Sequence, residues 1–352
     1  MSSESVKNFK IANKTVGAGC KPFVIAEVSQ THDGSLGLAH AFIDASAEAG
    51  ADAVKFQTHI AEAESTPGEP FRVNFSYEDK TRYDYWKRME FTPEQWQGLA
   101  QHAKEKGIIF LSSAFSLEAV TLLDHLEMPA WKIGSGEVNN PLLLQAMTDT
   151  KKPILLSTGM SPWSEIEQAV QRIQETSCPI GLFQCTSKYP TSLKEVGLNV
   201  LQQFRDQYTF PIGLSDHSGS IFPSLAAMAQ GANMIEVHVT FHKKMFGPDV
   251  PVSLNFEELK VLCDGANALQ TMQENPVDKN QMADSLAEMR RLFNKSVALR
   301  RALSAGDKIA RADLTTKKPG NGIPATDLEK CVGKQLKTDV GVDRVLTWDD
   351  LN

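Results

Sequence analysis

The stretch Phe210-Pro211-Ile212-Gly213-Leu214-Ser215-Asp216-His217 shows the pattern from which we predict the fold. A short apolar run predicts a strand over residues 211–215 and ends in a hydroxyl, a carboxylate and an imidazole, which are poor material for a hydrophobic core. One strand-helix unit later, Glu236-Val237-His238 repeats the arrangement. Because neighbouring parallel strands end at the same edge of a sheet, we expect His217 and His238 to lie together in a metal-binding active site.

Short apolar runs alternate with longer amphipathic stretches from about residue 22 to residue 270. This alternation is typical of repeated βα units and a parallel sheet. The predicted strands cover residues 23–28, 53–57, 108–112, 130–133, 153–157, 180–185, 211–215 and 234–239. Eight units in about 250 residues favour a closed (β/α)8 TIM barrel over an open doubly wound sheet, and no GxGxxG motif follows the first strand.

Helical patterns lie between the strands, and several begin with recognisable signals. They cover residues 36–49, 93–106, 117–125, 162–175 and 256–270. Thr92-Pro93-Glu94-Gln95 predicts an N-cap, a proline in the first helical position and a capping-box glutamine. Ser161-Pro162 predicts a second cap followed by proline.

Two segments depart from this rhythm. Residues 60–89 are polar, contain prolines and end in aromatic residues, so we expect them to lie over the barrel mouth as a lid. We place the barrel at residues 1–275, a charged linker at 276–295 and a small second domain at 296–352. Strand-like pieces are expected at 296–299 and 332–336.

Polar side chains stand at the ends of all eight predicted strands. In strand order they are Glu27; Lys55 and Gln57; Ser112 and Ser113; Lys132, Ser135 and Glu137; Ser157 and Thr158; Thr186, Ser187 and Tyr189; Ser215, Asp216 and His217; and Glu236 and His238. A single serine there more often caps the next helix. Eight ends out of eight predict an active site, and two lysines with several hydroxyls predict a phosphate or carboxylate ligand.

The site residues favour some chemistries over others. Two imidazoles, each next to a carboxylate (Asp216 or Glu236), suit Mn, Zn, Fe or Co better than Ca. Glu27 fits a general base or a substrate-orienting carboxylate, and a salt bridge to one of the lysines is the alternative. Asp249, on a Gly/Pro loop after the last strand, fits a ligand of substrate hydroxyls or a turn residue. For Cys185 we expect a packed thiol.

The bulk properties exclude several partners. The net charge of -7, with acids and bases interspersed, offers no basic stripe for nucleic acid. No run approaches the roughly 18 apolar residues that a membrane span needs, and the first residues lack the apolar core of a signal peptide. Five cysteines without a CxxC pair fit reduced thiols. We therefore expect a cytoplasmic protein.

The ordered motifs resemble those of the sialic acid synthase (N-acetylneuraminate synthase) family over nearly the whole chain. They are Ile25-Ala26-Glu27, Thr31-His32-Asp33-Gly34, Gly50 to Gln57, Lys132-Ile133-Gly134-Ser135-Gly136-Glu137, Leu156 to Met160, Cys185 to Pro190, Gly213 to His217, Glu236-Val237-His238 and Pro319-Gly320-Asn321-Gly322. The tail resembles the antifreeze-like (SAF) domain that is fused to these synthases.

The resemblance implies that phosphoenolpyruvate condenses with an N-acetylated amino-hexose, such as N-acetylmannosamine or a 6-deoxy di-N-acetyl hexose. The products would be a nine-carbon 2-keto-3-deoxy sugar acid and phosphate. It implies catalytic roles for Glu27, His217 and His238, with the two histidines holding a divalent ion, usually Mn, with Mg or Co possible. The residues implied for phosphoenolpyruvate are Lys55, Ser113, Lys132, Ser135, Ser157, Ser187 and Ser215. Those implied for the sugar are Gln57, Tyr189, Asp249 and Lys318, with Glu137, Asp216 and Glu236 in support.

Three residues depart from the family pattern. Ser187 stands where an asparagine is expected, Lys318 where an arginine is common, and Val237 where an arginine often precedes the histidine. By resemblance, Lys318 reaches the partner subunit's barrel, which implies a domain-swapped homodimer whose SAF domains each cover the other barrel. Two other functions stay open: a pyruvate-dependent aldolase or lyase with a lysine Schiff base, and a non-catalytic sugar-binding SAF protein.

Overall fold

The computed structural model describes residues 6–71 and 73–352. The chain divides into two compact units, of which one ends at Glu274 and the other begins at Asn275. The finer division into a barrel, a linker and a small domain stays a prediction. Along the described part of the chain, no helix has both the length and the apolarity that crossing a membrane requires.

Eight parallel strands of the first unit close into a barrel, which confirms the (β/α)8 prediction. The strands of this unit are β1 Phe9–Ile11, β2 Lys14–Val16, β3 Phe23–Ser29, β4 Ala53–Thr58, β5 Ile109–Ala114, β6 Trp131–Ile133, β7 Ile154–Ser157, β8 Ile180–Cys185, β9 Ile212–Asp216 and β10 Met234–His238. Strands β3 to β10 pair in chain order, and β10 returns to β3. Their residues are buried almost without exception, because both faces of a barrel strand are covered.

Helices follow the strands around the outside. They are α1 Leu36–Glu48, α2 Ala61–Glu64, α3 Arg82–Met89, α4 Pro93–Glu105, α5 Leu117–His125, α6 Pro141–Asp149, α7 Trp163–Glu175, α8 Leu198–Gln207, α9 Phe222–Ala229 and α10 Phe256–Glu274. Helix α4 begins with the predicted capping box of Thr92 and Gln95. The predicted cap at Ser161 is wrong: Pro162 is the N-cap residue, and its carbonyl accepts the first helical hydrogen bonds.

The second unit contains short elements around a small core of its own. These are α11 Lys279–Ser285, α12 Ala287–Phe293, β11 Ser296–Leu299, β12 Leu314–Lys317 and α13 Leu328–Cys331. Strand β11 lies where it was predicted and pairs antiparallel with β12. The strand predicted at 332–336 is wrong, because Gly333 has a φ of +80° and only isolated bridges form at Gln335 and Leu336.

Candidate active site

A cavity of about 430 Å³ lies at the C-terminal ends of the barrel strands. Its wall contains fourteen of the predicted site residues: Glu27, Lys55, Gln57, Ser113, Lys132, Ser135, Glu137, Ser157, Ser187, Tyr189, Ser215, His217, Glu236 and His238. The strand period explains this grouping. Residues two apart in a strand face the same side, so Glu236 and His238 both face the cavity while Val237 packs in the apolar core.

Two lysines and two glutamates form the floor of the cavity, and we use that name for Glu27, Lys55, Lys132 and Glu236. Lys55 Nζ lies 2.7 Å from Glu27 Oε2 and 3.8 Å from Glu236 Oε2. Lys132 Nζ lies 3.4 Å from Glu236 Oε1. Both lysine side chains are only 3% exposed, so the charges of the floor are buried and paired with one another.

Serine hydroxyls surround the two ammonium groups. Lys55 Nζ donates to Ser113 Oγ at 3.2 Å, and Lys132 Nζ donates to Ser157 Oγ at 2.5 Å. Ser215 Oγ donates to Glu236 Oε1 at 3.0 Å. The arrangement provides positive charge together with short hydroxyl donors, which is what a bound phosphate or carboxylate requires.

The two floor carboxylates differ in their readiness to carry charge. Burial and the nearby charge of Glu236 raise the pKa of Glu27 to about 7, against the opposing effect of Lys55. Burial acts in the same direction on Glu236, but Lys132 and Lys55 outweigh it and hold its pKa at about 2. Glu236 is therefore the fixed counter-ion, while Glu27 can exchange a proton near neutral pH.

The histidine pair lies beside the floor, since His238 stands next to Glu27 in the β3–β10 register and follows Glu236 by two residues. The ring centroids of His217 and His238 are 5.1 Å apart. His217 Nδ1 lies 3.0 Å from the carbonyl oxygen of Thr186, and its Nε2 lies 2.9 Å from Tyr189 Oη. His238 Nδ1 is buried and has no hydrogen-bond partner within the part of the chain that the structure describes.

These residues fit a divalent ion. A backbone carbonyl orients the ring of His217, which is how proteins fix a metal-binding imidazole, and the buried nitrogen of His238 lacks a protein partner. Among residues 6–71 and 73–352, no group of three or more His, Cys, Asp or Glu side chains is arranged to hold a metal. The described residues therefore offer two imidazole ligands, and a substrate or water would complete the coordination.

The predicted lid reaches the cavity and forms its outer wall. The lid wall consists of Glu64, Glu69, Arg82 and Trp86. The guanidinium of Arg82 pairs with Glu69 at 3.1 Å and lies 4.9 Å from the ring centroid of Trp86. The sequence predicted the lid but assigned none of these four residues to the site. The only signal for them was the aromatic cluster at the end of the segment, which includes Trp86.

Three predicted site residues lie elsewhere. Asp216 faces away from the cavity and accepts a hydrogen bond from Ser218 Oγ at 2.7 Å. Asp249 accepts from Ser29 Oγ at 2.5 Å and is not part of the described cavity wall. Lys318 lies in the second unit, with its ammonium 4.9 Å from the ring centroid of Phe293.

Cys185 is buried, as expected of a packed thiol, but it also lines the cavity. Its Sγ lies 3.7 Å from both Ser135 Oγ and His217 Nδ1. Gly159 packs against the same group: a Cβ there would come within 2.9 Å of Ser135 Oγ and 2.8 Å of Cys185 Sγ. Only glycine leaves room for this contact, which the sequence did not single out.

Comparison with known proteins gives consistent matches. The chain is 35% identical to the N,N'-diacetyllegionaminic acid synthase of Campylobacter jejuni over 89% of this chain and 95% of that protein. It is 31% identical to the human N-acetylneuraminate-9-phosphate synthase over 93% of this chain and 92% of that protein.

A solved structure agrees with these matches. The N-acetylneuraminic acid synthetase of Leptospira borgpetersenii, in complex with citrate, superposes with a TM-score of 0.72 and 29% identity. The superposition covers 81% of this chain and 96% of that one. The NeuB family matches residues 42–278, and the SAF domain matches residues 294–352. With two thirds of its length matched by the first and its tail by the second, the chain belongs to the NeuB family and carries a C-terminal SAF domain.

Proposed function

We propose that this protein condenses phosphoenolpyruvate with an N-acetylated amino-hexose, giving a nine-carbon 2-keto-3-deoxy sugar acid and phosphate. The observation that carries the proposal is one cavity with two distinct groups of side chains: a floor of buried lysines ringed by serines, and a pair of imidazoles beside it. The first suits an anion with a phosphate and a carboxylate. The second suits a metal that polarises an aldehyde.

The floor would hold phosphoenolpyruvate. Lys55 and Lys132 neutralise its charges, and hydroxyls of the surrounding serines donate to its oxygens; these serines are Ser113, Ser135, Ser157 and Ser187. Ser215 joins them when its hydroxyl turns from Glu236 to the ligand. The carbon C3 of phosphoenolpyruvate attacks the aldehyde carbon, and the aldehyde oxygen becomes a hydroxyl. Water adds to the resulting cationic C2, and the C–O bond to phosphate breaks to leave the keto group. The two protons of the water end on the new hydroxyl and on the released phosphate. Glu27, with a pKa of about 7, accepts the proton of the attacking water.

His217 and His238 would hold a divalent ion, Mn in the first place and Mg or Co as alternatives. Such an ion, when bound, supplies Lewis-acid polarisation of the aldehyde oxygen. Gln57 and Tyr189 line the cavity beside this pair and would contact the sugar. The acceptor we propose is N-acetylmannosamine or a 6-deoxy di-N-acetyl hexose.

The test is phosphate release from phosphoenolpyruvate in the presence of Mn, with a panel of N-acetylated amino-hexoses and mass detection of the product. We expect release with at least one aldehyde, loss of release on chelation and its return when Mn is added. No release with any aldehyde, despite tight ligand binding, would contradict the enzyme and favour a sugar-binding protein.

A lysine Schiff base is the second candidate, because burial lowers the pKa of Lys132. Borohydride added with pyruvate traps such an adduct on a Schiff-base aldolase or lyase. We expect no adduct here, since the ammonium of Lys132 contacts Glu236 at 3.4 Å and Ser157 at 2.5 Å. A trapped adduct, with turnover that survives chelation, would replace the condensation by an aldolase reaction.

We further propose a domain-swapped homodimer in the cytoplasm, in which the SAF domain with Lys318 covers the partner's barrel. Large apolar side chains that stay exposed near the ends of the barrel strands support a covering partner; these are Leu142, Met160, Trp163 and Phe222. All five cysteines are free thiols, which fits a reducing compartment. Deleting residues 296–352 should abolish sugar turnover while the barrel stays folded by circular dichroism, and normal activity of the truncated chain would contradict the covering role.

A further inference from the structure

His59 follows β4 directly and is held between two aromatic rings. The centroid of its ring lies 3.7 Å from the ring centroid of Trp86, and the two ring planes meet at 9°. The centroid distance to the ring of Phe115 is 4.5 Å, and the angle between those planes is 6°. Trp86 belongs to the lid and Phe115 to the loop after β5. The side chain of His59 is only 3% exposed, so both of its faces are covered by neighbours. The stacking fixes the plane of the imidazole.

The edges of the ring are engaged as well. His59 Nδ1 lies 2.6 Å from Glu64 Oε1, and His59 Nε2 lies 3.3 Å from Gln57 Oε1. An amide oxygen can only accept, so the contact with Gln57 requires a proton on Nε2. The carboxyl group of Glu64 then accepts a second proton from Nδ1 or, when it is itself protonated, donates one to it. With two covered faces and two bonded edges, His59 has no free group for a substrate.

Gln57 links the fixed ring of His59 to Glu27 in the floor. Its Nε2 donates to Glu27 Oε1 at 2.9 Å, and the other oxygen of Glu27 lies 2.7 Å from Lys55 Nζ. If the amide of Gln57 were turned over, its oxygen would face the carboxylate of Glu27, and two acceptors would meet. The donor from His59 prevents that, because it holds the amide oxygen on the other side.

We propose that His59 is a positioning residue that couples closure of the lid to the orientation of Gln57 and Glu27. Trp86 completes the sandwich only when the lid lies over the cavity, and the fixed ring then aligns the amide that holds Glu27. This inference rests on the proposed condensation, in which Gln57 contacts the sugar and Glu27 accepts the proton of the attacking water. Phosphoenolpyruvate, bound by the lysines, depends on His59 only weakly.

Two variants separate the stacking from the hydrogen bond. His59→Phe keeps the aromatic sandwich and removes both edge contacts, whereas His59→Gln removes the ring and keeps a donor near the position of Nε2. His125→Phe makes the same change at an exposed histidine of α5 and serves as the matched control. Phosphate release is measured for each variant with the acceptor that the wild type uses, and folding is checked by thermal unfolding.

We expect His59→Phe to lower kcat/KM for the acceptor on the order of 100-fold, with KM for phosphoenolpyruvate changed less than about threefold. His59→Gln should recover about a tenth or more of the wild-type value, and His125→Phe should equal the wild type. Acceptor kcat/KM within threefold of wild type in His59→Phe, or equal losses for both substrates in both variants, would overturn the positioning role. A wild type inactive with every acceptor would instead overturn the condensation, and this inference with it.

Discussion

The floor of the cavity is made of strand residues whose charges are buried and paired, whereas the lid wall belongs to a long connection whose ion pair of Arg82 and Glu69 meets water. Lys55 and Lys132 are 3% exposed, while Arg82 is 41% exposed and its partner Glu69 is 29% exposed. A buried pair that loses one member leaves an uncompensated charge, but an exposed pair is replaced by water. The floor should therefore tolerate little change, and the lid should be adjustable.

The largest effect is expected for Lys55→Met in the floor. Without the ammonium, Glu27 and Glu236 would share one buried site with less compensation, which should cost about 3–5 kcal/mol of unfolding free energy. Turnover of phosphoenolpyruvate should fall on the order of 1000-fold, because the lost charge faces the developing phosphate. Phosphate release and denaturant unfolding measure the two effects.

Lys260→Met is the matched control, since Lys260 pairs with Asp264 on the surface, where both side chains are about 60% exposed. The change there should cost less than about 1 kcal/mol. If Lys55→Met kept turnover within tenfold of the wild type, the floor would not be the anion site.

A smaller effect is expected for Arg88→Leu, which loosens the lid. Arg88 lies on α3 and donates to Asp79 at 2.8 Å and to Asp33, in the loop after β3, at 2.7 Å. Losing these charged hydrogen bonds should make lid opening easier by about 2 kcal/mol. Limited proteolysis should then cut within residues 60–89, and acceptor kcat/KM should fall about tenfold.

Lys87→Leu on the same helix provides the comparison, because Lys87 is 51% exposed and, of the residues described, pairs with Glu62 and Glu90 alone. We expect wild-type proteolysis and activity for it. Equal proteolysis of the two variants within residues 60–89 would show that loss of any charge on α3 opens the lid. The hydrogen bonds of Arg88 would then not be what holds the lid closed.

The floor could be predicted from the sequence and the lid wall could not, because the floor lies on strands and the lid wall on a long connection. Barrel strands place residues by a period of two, so the polar strand ends identified the floor and the histidine pair before any geometry was known. His59 and Arg82 occupy a connection without such a period. The place of His59 depends on stacking against Trp86 of α3 and Phe115 of the loop after β5, which are distant from it in sequence. Arg82 lies one helical turn before Trp86, so its place depends on where α3 packs.

Two predictions from local sequence signals, a helix cap at Ser161 and a strand at 332–336, were wrong. Thr92-Pro93 and Ser161-Pro162 look alike, yet only the first forms a capping box; the second stands in a turn that makes Pro162 the N-cap. The strand-like piece at 332–336 predicted a strand, and the left-handed backbone of Gly333 interrupts it. In both cases the residue types are compatible with either backbone conformation, so the local sequence does not decide between them.

Acid should open the lid before it disturbs the barrel. Burial alone would raise the pKa of Asp79, but hydrogen bonds from Arg88 and Ser76 outweigh it and hold the pKa below its usual value of 3.8. A depressed pKa means that the contribution to lid closure is present above about pH 3.8 and is lost as the pH falls further. Asp33 and Glu78 are the other carboxylates that face the guanidinium of Arg88.

Cutting by pepsin within residues 60–89 should therefore rise between about pH 4 and pH 3, while far-ultraviolet circular dichroism stays constant. Asp79→Asn mimics the protonated side chain and should open the lid at neutral pH, with less further change in acid. Asp124→Asn removes the partner of Lys152, outside the lid, and should leave the cutting pattern unchanged. If lid cutting followed the loss of the barrel's dichroism instead of preceding it, the lid would be as firmly held as the floor, and the contrast between the two walls would fail.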